Sequence, residues 1–286
     1  MFPAPKRLWW WRHRVPQEFD VSLLRPPDYG RKRRNRGFET PEEAKRENKI
    51  RISILRQGKS RGSQKLAEKL EACSYRHPCG SPACRCCMRE FRKTITGLAM
   101  MALSDQPQIR MVTLVFGKPY RDRWLAGSGP APLPKAMVQK LRMDLQRHAS
   151  AVAIAIGGVE VDLDARTNMA EPHIHLLVAT DDRKELEALA KAYGKPHEVN
   201  RPIEVSRPIS ASDRPKVFSY PWKFAPVKKL KFVTTDASGK RKQRTRKVRL
   251  RGSAGRRALR WLNCYRPEDF LFVRGFVLRG CRFVPV

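Results

Sequence analysis

The sequence predicts an α+β fold, an antiparallel sheet with helices on one face, together with a cysteine-rich knuckle and basic extensions. Three observations carry this reading. Between residues 109 and 224, strand-like and helix-like patterns alternate in the order β-α-β-β-α-β-α. Two of the strand segments, Glu160-Val161-Asp162 and His173-Ile174-His175, alternate polar and apolar residues and so gather ligand-type side chains on one face. Five of the seven cysteines lie between positions 73 and 87.

Residues 1–39 read as a basic arm. Prolines recur, Arg31-Lys32-Arg33-Arg34 is a compact charge run, and such a composition does not bury a core by itself. Trp9, Trp10 and Trp11, flanked by Arg7 and Arg12, suit stacking on unpaired bases or anchoring on the protein's own core. A helical region with the knuckle follows at 40–105. Thr40-Pro41-Glu42-Glu43 is a capping-box start, predicting a helix to about Gln57, before Gly58. A second helix is predicted from Ser63 to Ala72, and a third from Met88 to Leu103.

The cysteines between them suit a metal knuckle in a reducing, cytoplasmic setting better than a disulfide framework. Cys79, Cys84 and Cys87 are spaced for a tetrahedral zinc site of structural role, with Cys73, His77 or Cys86 as fourth ligand. Cys73 is preferred because it is free to fold back, whereas Cys86 adjoins Cys87.

A core domain is expected over 106–226. Ile109–Phe116 is apolar and β-branched, hence strand. Pro134–His148 is helical, with Met137, Leu141 and Leu145 forming a stripe. Ala151–Asp164 reads as strand with a bulge at Gly157-Gly158, and His173–Ala179 as the next strand. If residues 165–171 form the loop between them, Glu160 falls opposite His175 and Asp162 opposite His173. Two imidazoles and one carboxylate, Glu160 or Asp162, would then bind a divalent metal, Mn or Mg, with positions open to water or phosphate. Asp182–Tyr193 is helical, Ile203–Ser206 is strand, and Asp213–Phe224 is a helix carrying Tyr220 and Lys223 one turn apart. A tyrosine hydroxyl can attack a metal-polarised phosphate, and a neighbouring lysine can neutralise the charge that develops.

The last region, 227–286, begins with a basic hairpin at 228–250 around Ala237-Ser238-Gly239, followed by a helix at 255–264 and an apolar tail, Phe270–Val286, that packs back. The chain carries 60 Lys+Arg against 27 Asp+Glu, net +33, and residues 228–260 hold 14 Lys/Arg against Asp236 alone. Such clustering points to a polyanionic partner, nucleic acid above all. Arg31, Lys32, Arg33 and Arg34 in the arm, and Lys240, Arg241, Lys242, Arg244, Arg246 and Lys247 in the hairpin, are the candidate phosphate contacts. The total by itself does not separate DNA from a ribosomal or membrane-surface partner. No apolar run of membrane-spanning length and no signal core occur, so neither a membrane nor secretion is expected.

With these residues assembled, the chain resembles the HUH endonucleases, and within them the replication initiators of rolling-circle plasmids. The resemblance rests on the strand Arg110-Met111-Val112-Thr113-Leu114-Val115-Phe116, then Pro172-His173-Ile174-His175, then Tyr220-Pro221-Trp222-Lys223, and on Cys79-Gly80 with Cys84-x-x-Cys87 upstream. It spans about residues 73–225 and implies an RRM-like nuclease core. The implied reaction is nicking of one DNA strand at an origin, single-stranded or hairpin, with a 5′ phosphotyrosine on Tyr220 and a free 3′ hydroxyl for rolling-circle replication. A host helicase and polymerase are implied as partners. Relatives often carry a glutamate four residues before the tyrosine; this chain has Lys216, so hydrolytic release by that residue is not expected, and a second tyrosine (Tyr193 or Tyr265), another acid or a different termination would take its place. A single-strand transposase of the same chemistry, and a non-catalytic zinc-containing nucleic-acid-binding protein, are the alternatives.

Overall fold

A computed structural model describes residues 38–117, 123–125, 127, 131, 133–193, 202–235, 239, 241–279 and 282–286. The arm with Arg31, Lys32, Arg33, Arg34 and the three tryptophans, together with Lys240 and Cys281, lies outside them, as does the side chain of Lys242.

The fold is mixed α+β. Helix α1 (Pro41–Arg56) starts on the predicted capping box, Thr40 and Glu43 each accepting the other's backbone N–H. Helix α2 (Arg61–Glu71) begins two residues earlier than expected because Ser60, not a later residue, caps it. Helix α3 (Arg85–Ala102) starts three residues early, with Cys84 at its N-cap. Leu55, Leu66, Leu70, Met88 and Phe91 bury the faces these helices turn to one another.

The sheet follows: β1 (Ile109–Val115), β2 (Ile154–Asp164), β3 (Ala170–Ala179) and β4 (Ile203–Pro208), with α4 (Pro134–His148) and α5 (Arg183–Tyr193) between them. Its order is β4-β1-β3-β2, all antiparallel. The predicted stripe of α4, Met137, Leu141 and Leu145, is buried. Both faces of β2 and β3 are buried along nearly their whole length, so the polar face of this pair is covered as well as the apolar one.

Three expectations fail here. The expected bulge at Gly157-Gly158 is absent, since β2 pairs with β3 one to one from Ile154 to Leu163. The two glycines serve close approach instead: a Cβ on Gly158 would lie 2.3 Å from the Pro221 carbonyl oxygen, and one on Gly157 would lie 2.2 Å from that of His175. The β2–β3 connection is also shorter than expected, because β3 starts at Ala170; Glu160 therefore faces His173, Asp162 faces Glu171, and Gly158 faces His175. The shift is two residues, which keeps every side chain on its predicted face. Finally, the helix expected over 213–224 breaks into α6 (Arg214–Phe218) and a separate 3-10 turn, Tyr220–Trp222. Pro221 accounts for the break: it lacks the N–H that a continuous α-helix would donate to the Val217 carbonyl.

The sheet continues past residue 226. The free edge of β2 is shared: β7 (Leu271–Arg274) pairs with its first half, while β5 (Val227–Thr235) joins its end at Leu163 and Asp164. Among the described residues, strand β6 (Arg241–Arg249) pairs only with β5, forming the expected basic hairpin, whose tip at 236–238 lies outside them. Helix α7 (Gly252–Asn263) packs against α1 and α2, and β8 (Phe276–Arg279) with β9 (Arg282–Pro285) closes the chain, as expected for a tail that packs back. Among the described residues no helix is long and apolar enough to cross a membrane.

Candidate active site

The register of β2 and β3 brings Glu160, His173 and His175 together, with ligand atoms all within 4.8 Å of one another. His173 Nε2 is 3.7 Å and His175 Nε2 3.9 Å from Glu160 Oε2. Ligands of one small divalent ion sit about 3–4 Å apart, so the spacing fits. Orientation fits as well. His173 Nδ1 is 2.9 Å from the Glu171 carbonyl oxygen, and as donor there it leaves Nε2 as the lone-pair nitrogen. His175 Nδ1 is 2.9 Å from Thr113 Oγ1 on β1, and its Nε2 is buried without a hydrogen-bond partner. Two imidazole nitrogens and a carboxylate oxygen thus converge on one point that no donor among the described residues fills, the pattern a metal would satisfy.

Electrostatics favour the same state. Burial pushes the His175 imidazolium down to about 3, and neighbouring His173 adds to it, so His175 is neutral and ligand-competent. Burial acts to raise the Glu160 carboxyl, but the imidazoles of His173 and His175, 3.7 and 3.9 Å away, and the Lys223 ammonium outweigh this and hold it well below the usual carboxylate range.

Asp162, expected as an alternative ligand, is turned to other partners. Its Oδ1 accepts the Val227 N–H at 3.3 Å, and its Oδ2 is 3.1 Å from Lys229 Nζ and 3.8 Å from Lys247 Nζ. Oδ2 is close enough for ion pairing without being aligned for a hydrogen bond. It is 3.9 Å from His173 Nε2, at the margin of the triad rather than in it.

Tyr220 and Lys223 reach the triad from the 3-10 turn, which lies over β2 at Gly158. The Tyr220 ring packs edge-on against His175, with centroids 4.8 Å apart. Lys223 Nζ sits 3.4 Å from the centre of that ring, and its backbone N–H donates to Glu160 Oε1 at 3.0 Å. Burial pushes the Lys223 ammonium down to about 8, with Glu160 pulling the other way. Phe224, next along, holds a left-handed φ of 40° while fully packed against Phe91 and Phe270. Its neighbours fix this costly conformation, which swings the chain from the turn into β5.

Sequence reasoning placed Lys247 among general phosphate contacts and overlooked Lys229. The hairpin pairs them directly across from each other and points both into the site. Lys247 also lies near the Tyr220 hydroxyl; its partial burial is outweighed by Asp162, Tyr220 and Glu160, which hold its ammonium above the ordinary lysine value. Arg241, Arg244 and Arg246 lie exposed further along the hairpin, beside exposed Phe232 and Val233. Lys216 is exposed on α6, Tyr193 is buried against Phe116, and Tyr265 packs on Trp261 and Phe270.

A second centre lies at the start of α3. The sulfurs of Cys73, Cys79, Cys84 and Cys87 are within 4.8 Å of one another, so Cys73 joins the set and neither His77 nor Cys86 does. Contacts of 3.5 Å for Cys73 with Cys84 and with Cys87, and 3.8 Å for Cys79 with Cys87, approach the roughly 3.8 Å edge of a tetrahedral zinc–thiolate site. Backbone N–H groups of Cys79 and Gly80 donate to Cys73 and Cys87 sulfurs, as suits thiolates, and Gly80 takes the φ of 62° that the turn requires. The four cysteines can hold a structural metal such as zinc.

Comparisons with protein families, curated proteins and solved structures find no match.

Proposed function

We propose that this protein is a metal-dependent endonuclease and strand transferase that cuts one DNA strand with Tyr220 as nucleophile, in the manner of a rolling-circle replication initiator. The observation that carries the reading is the packing of Tyr220 onto a carboxylate–imidazole–imidazole cluster with two lysines around its ring and hydroxyl. Glu160, His173 and His175 would hold Mn or Mg, which when bound polarises the scissile phosphate and stabilises its added charge.

The tyrosine oxygen forms a bond to phosphorus while the bond from phosphorus to the 3′ oxygen breaks. The phenol gives up its proton to solvent, the phosphate stays ester-linked to Tyr220, and the departing 3′ oxygen takes up a proton from solvent, leaving a 3′ hydroxyl. Lys223 and Lys247 stabilise the negative charge that builds on the phosphoryl oxygens and keep the phenol oriented. The exposed part of the hairpin extends this cationic line away from the site, and its phosphate contacts make binding steeply salt-dependent.

The test is a covalent adduct. Purified protein is incubated with end-labelled single strands and Mn²⁺, and labelled protein is resolved on a denaturing gel. The wild type should form an adduct and Tyr220→Phe none. No adduct across a library of strands would refute catalysis, and an adduct from Tyr220→Phe would refute the assignment of the nucleophile.

A further inference from the structure

We infer that the four-cysteine centre positions the nucleophile, acting through Arg85 and Arg92. The turn that carries Tyr220 is bracketed by Ser219 and Lys223, and each has its carbonyl held by an arginine of α3. Arg85 Nη1 donates to the Lys223 carbonyl at 2.7 Å. Arg92 donates through Nε to the Ser219 carbonyl at 2.8 Å and through Nη2 to the Ser219 hydroxyl at 3.1 Å. Lys223 follows the turn and its carbonyl has no partner within it, while Arg92 adds two further bonds at Ser219, where the turn begins, so these guanidinium groups decide where it rests.

Helix α3 grows directly from the cysteine centre. Cys84 is its N-cap, Arg85 its first residue, and Cys87 lies in its first turn. Ahead of it, residues 73–83 form no helix or strand; beside local turn bonds they are tied by the sulfurs of the centre, by Arg51, which donates to the Ala83 carbonyl at 2.8 Å, and by Asn263, which accepts from the Ser81 hydroxyl at 2.8 Å. The sulfur–metal bonds would therefore set the start of α3 together with Asn48, whose Oδ1 accepts the Arg85 N–H at 3.1 Å, and the aim of Arg85 together with Glu39, which pairs with its guanidinium; the rigid helix carries that setting two turns on to Arg92, which is only 3% exposed. Arg85 and Arg92 are positioning residues; neither touches the triad. The inference uses the nuclease reading only for its activity readout.

Hydrogen exchange of the full-length protein tests it. Amide exchange across 216–224 is followed in the wild type, in Cys84→Ser with its metal content measured, in Arg85→Gln/Arg92→Lys, and in the combination. Cys84→Ser should lose the metal and speed exchange in 216–224 by about tenfold or more, the effect of losing one charge-assisted hydrogen bond. The arginine pair should do the same with metal retained, and the combination should add little, because both act through one linkage. The adduct-forming rate should fall in each with strand affinity unchanged. Unchanged exchange in Cys84→Ser, or fully additive effects, would overturn the proposal. If Cys84→Ser loses its helical circular dichroism, Arg85→Gln alone decides, and unchanged exchange there overturns it. Coupled exchange with no adduct from any protein would leave the positioning role standing and sink the nuclease reading.

Discussion

Gly158→Ala adds one methyl group at the point where the sheet meets the tyrosine turn, and the structure sets its size of effect. The new Cβ would lie 2.3 Å from the Pro221 carbonyl oxygen. A carbon–oxygen contact settles at about 3.3 Å, so the turn must retreat by roughly 1 Å. It cannot do so freely. Trp222 is fully buried with its indole N–H on the Phe218 carbonyl, and Arg85 and Arg92 hold the flanking carbonyls. Overpacking of this kind costs about 1–3 kcal/mol, which for a chain of this size lowers the melting temperature by some 2–4 °C per kcal/mol. The larger loss should be functional, because a displacement near 1 Å in a reacting group can cost about a hundredfold in rate. Single-turnover adduct formation on a labelled strand, compared with thermal melting, measures both. Wild-type adduct rates in a normally folded Gly158→Ala would refute the claim that this contact sets the position of Tyr220.

Two more outcomes follow from the imidazoles. Thr113→Val removes the partner of His175 Nδ1 while preserving shape, and should weaken Mn²⁺ binding at the triad by about 10–100-fold in calorimetry. Unchanged affinity would mean that Thr113 does not fix the tautomer. In metal-free protein, His175 should stay neutral from pH 8 to about 4, because burial pushes its imidazolium down to about 3 and the charged form appears only below that value. An NMR titration of its ring that shows a midpoint near the ordinary value of about 6.5 would contradict the burial seen here.

The parts legible in the sequence were those written in local patterns. The capping box at Thr40, the stripe of α4, the order of strands and helices, and the alternation on β2 and β3 all depend on residues a few positions apart. Periodicity fixed which face His173 and Glu160 share, but not the offset between strands; that depends on where the loop ends, and Met169-Ala170 gives no clear stop. The break before Tyr220 was readable from Pro221, which argues against a continuous helix. Arg85 and Arg92 were not readable as turn-holders, since their partners lie 138 and 127 residues away and nothing local marks the pairing. Lys229 and Lys247 were hidden for a different reason. In a stretch with so many cations, composition announces phosphate binding and conceals the two that face a carboxylate.

Asp162 shows what those two lysines do. It is 1% exposed, and a buried carboxylate persists only where its charge is matched. Here the match is supplied mainly by the hairpin, through Lys229 and Lys247 and through the Val227 N–H. The same hairpin contacts the rest of the sheet mainly through the end of β2. Asp162 is therefore the dock that holds a cationic ribbon against the site and keeps Lys247 beside the Tyr220 hydroxyl. Asp162→Asn tests this against the reading in which Asp162 is a metal ligand. The amide preserves the Oδ1 acceptor for Val227 and removes the charge, and Lys229 keeps Glu171 at 3.3 Å, so the fold should survive. Mn²⁺ affinity should change by less than about tenfold, below the cost of losing even an outer partner, whereas Glu160→Gln should cost more than about a hundredfold. The adduct rate of Asp162→Asn should nevertheless fall, because Lys247 is no longer drawn inward. Equal losses of Mn²⁺ affinity in Asp162→Asn and Glu160→Gln would make Asp162 a ligand and remove the argument for a docked ribbon.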